Sequence, residues 1–125
     1  MNKITVVYCD VENGKAPVKA EIADELKEYY RLINCDTIDI VHRSIKDVQV
    51  CVVLDDNGRF KESPRVSGVN IARTWDFVGN IIITGCEDSE GNLTSLTVQD
   101  CKKISERIAF FSLRNGEQRS FILFD

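Results

Sequence analysis

Apolar residues in the first part of the chain predict one strand followed by one helix. KITVVYC (residues 3–9) is rich in β-branched residues and leads into the turn-forming sequence DVENGK, which is typical of a strand and its turn. Residues 16–34 carry apolar side chains at helical spacing, which predicts an amphipathic helix of about four turns, with Pro17 in its first turn. The apolar positions of this helix are Val18, Ile22, Leu26, Tyr29 or Tyr30, and Ile33.

Alternating apolar and polar residues then predict a series of strands. DTIDIVHR (36–43) and DVQVCVVLDD (47–56) are expected to pair across the turn near residues 44–47. Asn57-Gly58 favours another tight turn, after which a short third strand begins at Arg59. FVGNIIITG (77–85) shows no polar alternation after Asn80, which predicts a central strand covered on both faces.

The last part of the chain predicts a second helix and a closing strand. In SLTVQDCKKISERIAFF (95–111), Thr97 followed by Asp100 is typical of a capping box at a helix start. The apolar stripe of this helix is Val98, Cys101, Ile104, Ile108 and Phe111. RSFILFD (119–125) is apolar on both faces, so this strand either lies centrally in the sheet or is covered by a second subunit. We favour the second alternative and expect a homo-oligomer.

The order of these elements predicts the fold class. We expect a single α+β domain over residues 1–125, with a mainly antiparallel sheet of about five to six strands and two amphipathic helices. No run approaches the ~20 apolar residues that a membrane span requires, so no membrane partner is expected. The start, MNKITVVYCD, lacks the long apolar core of a signal peptide, which favours a cytoplasmic location.

The charge of the chain narrows the choice of partners. Sixteen basic and twenty acidic residues give a formal net charge of −4. This balance argues against non-specific nucleic-acid binding, which depends on a basic surface that neutralises phosphates. It leaves open a small anionic ligand that is held in one local basic pocket.

Neither a catalytic apparatus nor a metal site is recognisable from spacing. The five cysteines include no Cys-x-x-Cys pair, and the single histidine, His42, does not form a zinc pattern with them by local spacing. The sequence contains no glycine-rich phosphate loop and no nucleophile elbow. We therefore expect no cofactor, no metal and no enzymatic activity. A metal-dependent enzyme that uses the acidic segments Asp10/Glu12 and Glu87/Asp88/Glu90 is the last-ranked hypothesis.

The residues before the most apolar strand carry the side chains best suited to a nucleotide-like ligand. Aromatic rings stack on bases, guanidinium groups pair with phosphates, and amides bind base edges or ribose hydroxyls. The candidate ligand-binding residues are Asn70, Arg73, Trp75, Phe77, Asn92, Arg59 and Arg65. The structural alternative is that Trp75 and Phe77 share a strand face in the core, and that Asn70 and Asn92 are turn residues.

The chain resembles a small domain family of uncharacterised function that is carried by phages and other mobile elements. The resemblance rests on AEIADELKEYYRLIN, VVLDDNGRFKESP, the segment around Asn70 before FVGNIIITG, and SLTVQD, in this order. The closing strand RSFILFD lies outside it, and Arg73 follows Asn70 by three residues where the family pattern places arginine directly after asparagine.

In length and layout the chain is also similar to the Thoeris anti-defence sponge proteins. This resemblance implies a non-catalytic protein that binds and sequesters a nucleotide-derived immune signal, either a cyclic ADP-ribose isomer or a cyclic oligonucleotide. The alternative function is a protein-binding inhibitor of a host defence or regulatory protein, encoded by a mobile element.

Overall fold

The computed structural model describes residues 3–57, 65–70 and 74–125, with Trp75 described by its backbone alone. These residues form nine strands, two α-helices and a 3-10 turn at Val11–Asn13. The strands are β1 (Lys3–Cys9), β2 (Val18–Ala23), β3 (Ile38–Ile45), β4 (Val48–Asp55), β5 (Val66–Asn70), β6 (Trp75–Val78), β7 (Ile81–Thr84), β8 (Ile108–Ser112) and β9 (Gln118–Phe124). The helices are α1 (Leu26–Ile33) and α2 (Val98–Ser105).

The strands form two sheets. Sheet A has the order β2-β1-β7-β4-β3, and every neighbouring pair in it is antiparallel. Sheet B has the order β6-β5-β9-β8, in which β5 and β9 are parallel and the other pairs are antiparallel. The predicted α+β class and antiparallel character are confirmed, but the strands divide between two sheets where one was expected.

Sheet A lies in the middle of three layers. One face packs against sheet B and α2, in a core that includes Val52, Ile122 and Ile104. The opposite face packs against α1, through side chains such as Val53 and Ile33. All four residues of β7 are buried, as expected for a central strand with both faces covered.

The first half of the segment predicted to form the first helix is a strand, so this part of the prediction is wrong. Residues Val18–Ala23 form β2, which pairs with β1 at the edge of sheet A, and the helix begins only at Leu26. Val18, Ile22 and Leu26 are four residues apart, and this spacing fits an alternating strand as well as a helix turn. Pro17 therefore precedes a strand and not a helix.

The predicted strand 77–85 is divided between the two sheets. Phe77 and Val78 belong to β6 in sheet B, whereas Ile81–Thr84 is β7 in sheet A. Between them Gly79 has a φ of 76°, a conformation that glycine adopts without steric cost. The chain therefore crosses from one sheet to the other at Gly79 and Asn80.

The second helix is shorter than predicted. Thr97 and Asp100 form the expected capping box, and this prediction is confirmed. The helix ends at Ser105, and Ile108–Ser112 forms β8, so Ile108 and Phe111 belong to a strand. Val98 is 79% exposed and does not contribute to a buried stripe.

The β3–β4 hairpin is confirmed, with Lys46 and Asp47 at positive φ in its turn. The other neighbour of β4 is β7, and the strand predicted to begin at Arg59 lies outside the described residues.

The closing strand β9 takes the central of its two predicted positions, between β5 and β8. Its buried Ile122 and Phe124 face sheet A, so this face of the strand is covered within the subunit. Strand alternation directs the neighbouring residues away from the core. These residues define the outer face of sheet B: Val69, Ala109, Phe111, Phe121 and Leu123.

In the described part of the chain, neither helix has the length and apolarity that crossing a bilayer demands.

Candidate anion-binding site

Phe77, a candidate stacking residue, lies in the core, which is the structural alternative given for it. Its residue surface is 2% exposed, and its ring packs edge-on against Phe124 with 5.1 Å between centroids. The guanidinium carbon of Arg43 lies 5.1 Å from the Phe77 centroid, and two hydrogen bonds of 2.9 Å tie Arg43 to Asp76. A ring that is enclosed in this way is not available to a base.

The two predicted asparagines are turn residues in different parts of the fold. Asn70 ends β5, where its backbone N–H donates to the carbonyl oxygen of Thr74 (3.1 Å) and its side chain bonds the same residue. Asn92 lies in the loop that follows β7 in sheet A, and its backbone N–H donates to the Asp88 carboxylate (3.0 Å). Asn70 ends a strand of sheet B, so the strands that position the two asparagines belong to different sheets.

Among the predicted arginines and Trp75, the structure describes the side chain of Arg65, which does not lie beside Asn70. Arg59 and Arg73 lie outside the described residues, as does the side chain of Trp75. Arg65 directly precedes β5, whereas Asn70 ends this strand, and five residues of strand span about 16 Å. Among the members of the predicted set whose side chains are described, Arg65 alone lines one of the cavities described below.

Arg65 lies at a small basic cavity. The cavity has a volume of about 10 Å³, and three of its lining residues are cationic: Lys15, Arg65 and Arg119. The other lining residues are Val11, Gly14, Val66 and Ser120. In a protein with a net charge of −4, this convergence of positive charge is a local exception.

Strand register and a turn bring the three cations together. β5 and β9 run parallel with Gly68 opposite Ile122, and Arg65 and Arg119 each precede these residues by three positions, at the same end of the strand pair. The 3-10 turn after β1 closes the cavity, and its Val11 carbonyl oxygen accepts a hydrogen bond from Arg65 Nη1 (3.3 Å). Gly14, at a φ of 69°, reverses the chain and leads directly into Lys15.

One carboxylate partly balances these cations. Glu117 Oε1 lies 3.4 Å from Arg119 Nε, and Oε2 accepts a long hydrogen bond from Nη2 (3.5 Å). The Arg119 hydrogen bond, then the charges of Arg119 and Arg65, lower the pKa of Glu117 below its ordinary value. Nevertheless Arg119 Nε is buried and has no hydrogen-bond acceptor among the described residues. A buried N–H in this state favours an external acceptor.

The size of the cavity limits what can enter it. A volume of about 10 Å³ suits one water or one oxygen atom of a larger group. The cavity therefore fits a phosphate or carboxylate oxygen whose parent molecule lies outside on the surface. Guanidinium and ammonium groups are the usual partners of such oxygens.

A second, larger depression lies at the C-terminal end of α1. This open groove has a volume of about 760 Å³ and is lined by Tyr30, Arg31, Asn34, Cys35, Asp36, Asp55 and Asn57. Its carboxylates and the negative end of the helix dipole disfavour phosphate, and Arg31 is already paired with Glu28. The aromatic ring, amides and carboxylates suit a base and its ribose hydroxyls.

The groove and the basic cavity lie at the same end of sheet A. β4 and β1 are both antiparallel to β7, so they point in one direction and end at the same edge of the sheet. β4 ends at Asp55, which lines the groove, and β1 ends at Cys9, just before the 3-10 turn that lines the cavity.

Sequence reasoning missed Lys15 and Arg119 as site residues. Lys15 lies in what reads as a turn, and Arg119 is the second residue of a strand whose partner was not predicted. Only the parallel pairing of β5 with β9 places Arg119 beside Arg65, and pairing between such distant segments leaves no local signal in one sequence.

These features define a small α+β domain of two packed sheets, with a basic cavity and an open groove at one end. Residues 4–109 match the family model DUF3846, a domain of unknown function, and the chain therefore belongs to this family. The match confirms the expectation of a small domain family without a characterised function, and it ends before β9. No match was found among curated proteins or among solved structures.

Proposed function

We propose that this protein binds and sequesters a nucleotide-derived signal, without chemical conversion, by holding a phosphate of the ligand at the basic cavity. The observation that carries the proposal is the meeting of Lys15, Arg65 and Arg119 at one cavity. There the buried Nε of Arg119 is ion-paired with Glu117 at 3.4 Å but has no hydrogen-bond acceptor among the described residues. The resemblance to phage anti-defence sponges favours a cyclic ADP-ribose isomer or a cyclic oligonucleotide as the ligand, and an anti-defence role in the host cytoplasm.

The groove at the same end of sheet A, on its α1 side, supports a ligand that is larger than phosphate alone. Tyr30 supplies an aromatic surface for a base, while Asn34 and Asn57 supply donors and acceptors. The carboxylates of the groove accept hydrogen bonds from ribose hydroxyls and repel phosphate, which directs the phosphate to the basic cavity. Recognition of this kind requires tight binding and no activated nucleophile.

Thermal shift measurements with a ligand panel test the proposal. The panel comprises cyclic ADP-ribose isomers and cyclic dinucleotides, with adenosine as a ligand that lacks phosphate. A ligand that binds only the folded protein raises its melting temperature, so we expect a shift with a phosphate-bearing member and a much smaller one with adenosine. No shift with any phosphate-bearing member at millimolar concentration contradicts the proposal.

Matched arginine variants locate the binding site. Arg65→Ala and Arg119→Ala each remove charged hydrogen-bond donors, and we expect the affinity to fall by about 10- to 100-fold. Arg114→Ala, in the exposed turn between β8 and β9, is the control and should bind like the wild type. Equal losses in all three variants would show a general charge effect and not a site.

Recovery of the ligand separates sequestration from catalysis. The complex is heated until the protein unfolds, and the released small molecule is identified by mass spectrometry. We expect the unmodified ligand in one equivalent per site. A converted product would support an enzyme.

A specific observation also favours the alternative, a protein-binding inhibitor. The outer face of sheet B presents Phe111, which is 38% exposed, with its ring 5.6 Å from that of Phe121. Paired aromatic rings of this kind are enriched at protein interfaces. Capture of a host protein that Phe111→Glu abolishes and Arg65→Ala leaves intact would favour this function over ligand sequestration.

A further inference from the structure

Three potential metal ligands converge near the edge of sheet A. His42 Nε2 lies 3.0 Å from Glu87 Oε2, and Cys51 Sγ lies 2.9 Å from Glu87 Oε1. The three ligand atoms all lie within 4.8 Å of one another. The cluster is at the opposite end of sheet A from the basic cavity, because Glu87 follows the C-terminal end of β7 whereas the cavity lies near its start.

The fold fixes these side chains from three separate segments. His42 and Cys51 are directly opposed in the antiparallel pair of β3 and β4, so their side chains share one face of the sheet. Glu87 comes from the loop after β7, the other neighbour of β4. Local spacing could not reveal this group, since its members are distant in sequence and are joined only by strand register.

The distances are compatible with a single zinc ion. Zinc binds sulfur at about 2.3 Å and nitrogen or oxygen at about 2.0–2.2 Å, so tetrahedral ligand atoms lie roughly 3.3–3.6 Å apart. The separations of 3.0 Å from His42 to Glu87 Oε2 and 2.9 Å from Cys51 to Glu87 Oε1 are close to this range, and the three ligand atoms lie within 4.8 Å of one another. Thiolate and imidazole together favour Zn²⁺ over Mg²⁺ or Ca²⁺, which prefer oxygen ligands.

Burial differs among the three ligands in a way that suits an accessible metal. The Cys51 residue is fully buried, whereas the side chains of Glu87 and His42 are 33% and 64% exposed. The sulfur therefore anchors the ion from inside the sheet, and the fourth coordination position faces solvent. Three protein ligands and one exchangeable position are typical of zinc sites that accept an outside ligand.

We propose that His42, Cys51 and Glu87 form a zinc-binding site with one open coordination position. Without the metal, Glu87 accepts hydrogen bonds from both partners, so its carboxylate occupies the centre of the cluster. Zinc replaces these bridging hydrogens: the Cys51 thiol releases its proton to solvent, and His42 exchanges with solvent so that Nδ1 carries the ring hydrogen and Nε2 is free to bind. The ion is then bound by the thiolate, the neutral imidazole and the carboxylate.

Titration of the reduced, chelator-treated protein with Zn²⁺ and with Co²⁺ tests the site. We expect one zinc per chain by calorimetry, and a thiolate-to-cobalt charge-transfer band in the near ultraviolet. His42→Ala and Glu87→Gln alter exposed side chains, so both variants should fold and lose affinity by about tenfold to a hundredfold or more. Cys51→Ser should abolish the charge-transfer band.

Cysteine controls make the test specific. Cys101→Ser removes a half-buried thiol from α2, in the other core, and should bind zinc like the wild type. A wild-type protein that retains no zinc and shows no charge-transfer band overturns the proposal. Unchanged affinity in the His42→Ala/Glu87→Gln double variant overturns it as well, because any zinc then binds elsewhere.

Discussion

At the scale of single residues, Asn80 shows how one polar side chain joins several segments. It is 3% exposed and lies where the chain crosses from sheet B to sheet A. Its amide nitrogen donates to Asp10 Oδ1 (2.9 Å) and to the Leu32 carbonyl oxygen (3.2 Å), and its oxygen accepts from the Glu12 N–H (3.0 Å). These bonds link the strand crossing to the 3-10 turn and to α1.

Loss of the Asn80 side chain should therefore destabilise the whole fold. Asn80→Ala leaves buried partners unsatisfied, and we expect the free energy of unfolding to fall by about 1–3 kcal/mol. Urea denaturation followed by circular dichroism measures this change. Asn115→Ala, in an exposed turn, is the matched control and should stay within about 0.5 kcal/mol of the wild type. A wild-type-like Asn80→Ala would mean that water replaces these bonds.

Asp125 gives a prediction about pH. Partial burial acts to raise its pKa, but hydrogen bonds from the Asp47 N–H, Ser44, the Lys46 N–H and Arg107 lower it below 3.8. A lowered pKa in the folded state stabilises the protein above pH 3.8, and this contribution is lost as the pH falls through the folded pKa. We expect Asp125→Asn to cost about 1 kcal/mol at pH 7 and much less below the folded pKa. Denaturation curves of both proteins at several pH values test this difference; a constant gap would exclude titration of Asp125 as its cause.

At the scale of elements, the sequence predicts strands better than it predicts their ends and partners. The β3–β4 hairpin and the capping box of α2 were predictable because each depends on residues that are close in sequence. The sequence of β2 predicts a helix because its apolar residues fit the helical period as well as the strand period. The sequence of β8 predicts a helix because the apolar spacing of α2 continues through Ile108. No local pattern distinguishes two sheets from one, so the crossing at Gly79 was missed.

The lack of a local signal for strand pairing also explains which candidate site residues were predicted and which were missed. Arg65 was predicted to bind a ligand, and it does line a cavity, but with Lys15 and Arg119 in place of Asn70. Phe77 is recognisable in the sequence as a large ring beside a buried strand. Whether this ring faces the core or the solvent depends on the pairing of β5 and β6. The position of both side chains depends on the register between strands that are distant in sequence, and a single sequence does not reveal this register.

Gly68 tests the packing of β5 on the core. A Cβ atom at this position would lie 2.6 Å from Phe124 Cε2 and 2.8 Å from Phe77 Cδ2, which is too close for either ring. We expect Gly68→Ala to destabilise the protein by about 1–3 kcal/mol, as overpacked cores do. Phe77→Leu in the same chain provides space and should recover part of the loss. If Gly68→Ala alone is neutral, the Phe77 ring does not pack where the structure places it.

At the scale of the whole molecule, the outer face of sheet B is the surface best suited to self-association. β9 is central, so its inner face is already covered, but Phe121 and Leu123 remain half-buried on the outer face beside the exposed Phe111. Apolar faces of this kind mark interaction sites in folded proteins. The homo-oligomer thus stays a prediction, and we expect its interface to be the outer face of sheet B.

Light scattering after size-exclusion chromatography tests the oligomer. We expect a mass above that of one 14.2 kDa chain, and a shift towards the monomer in Phe111→Glu, because the new charge would be buried at the interface. Ile40→Glu changes a similarly exposed apolar residue on β3 and is the control. A wild-type protein that is monomeric at high micromolar concentration would exclude self-association through this face.

The parallel pairing of β5 with β9 has a consequence for how the chain folds. β5 and β6 are synthesised early, yet the strand that joins them to β8 comes only after α2. Until β9 is synthesised, one edge of β5 has no hydrogen-bond partner and the side of the core around Phe77 is uncovered. A nascent chain would then contain all strands of sheet A together with the β5–β6 pair, whose open edge can pair with a strand of another molecule. Chaperone binding or intermolecular exchange during synthesis should therefore concentrate on this unfinished half.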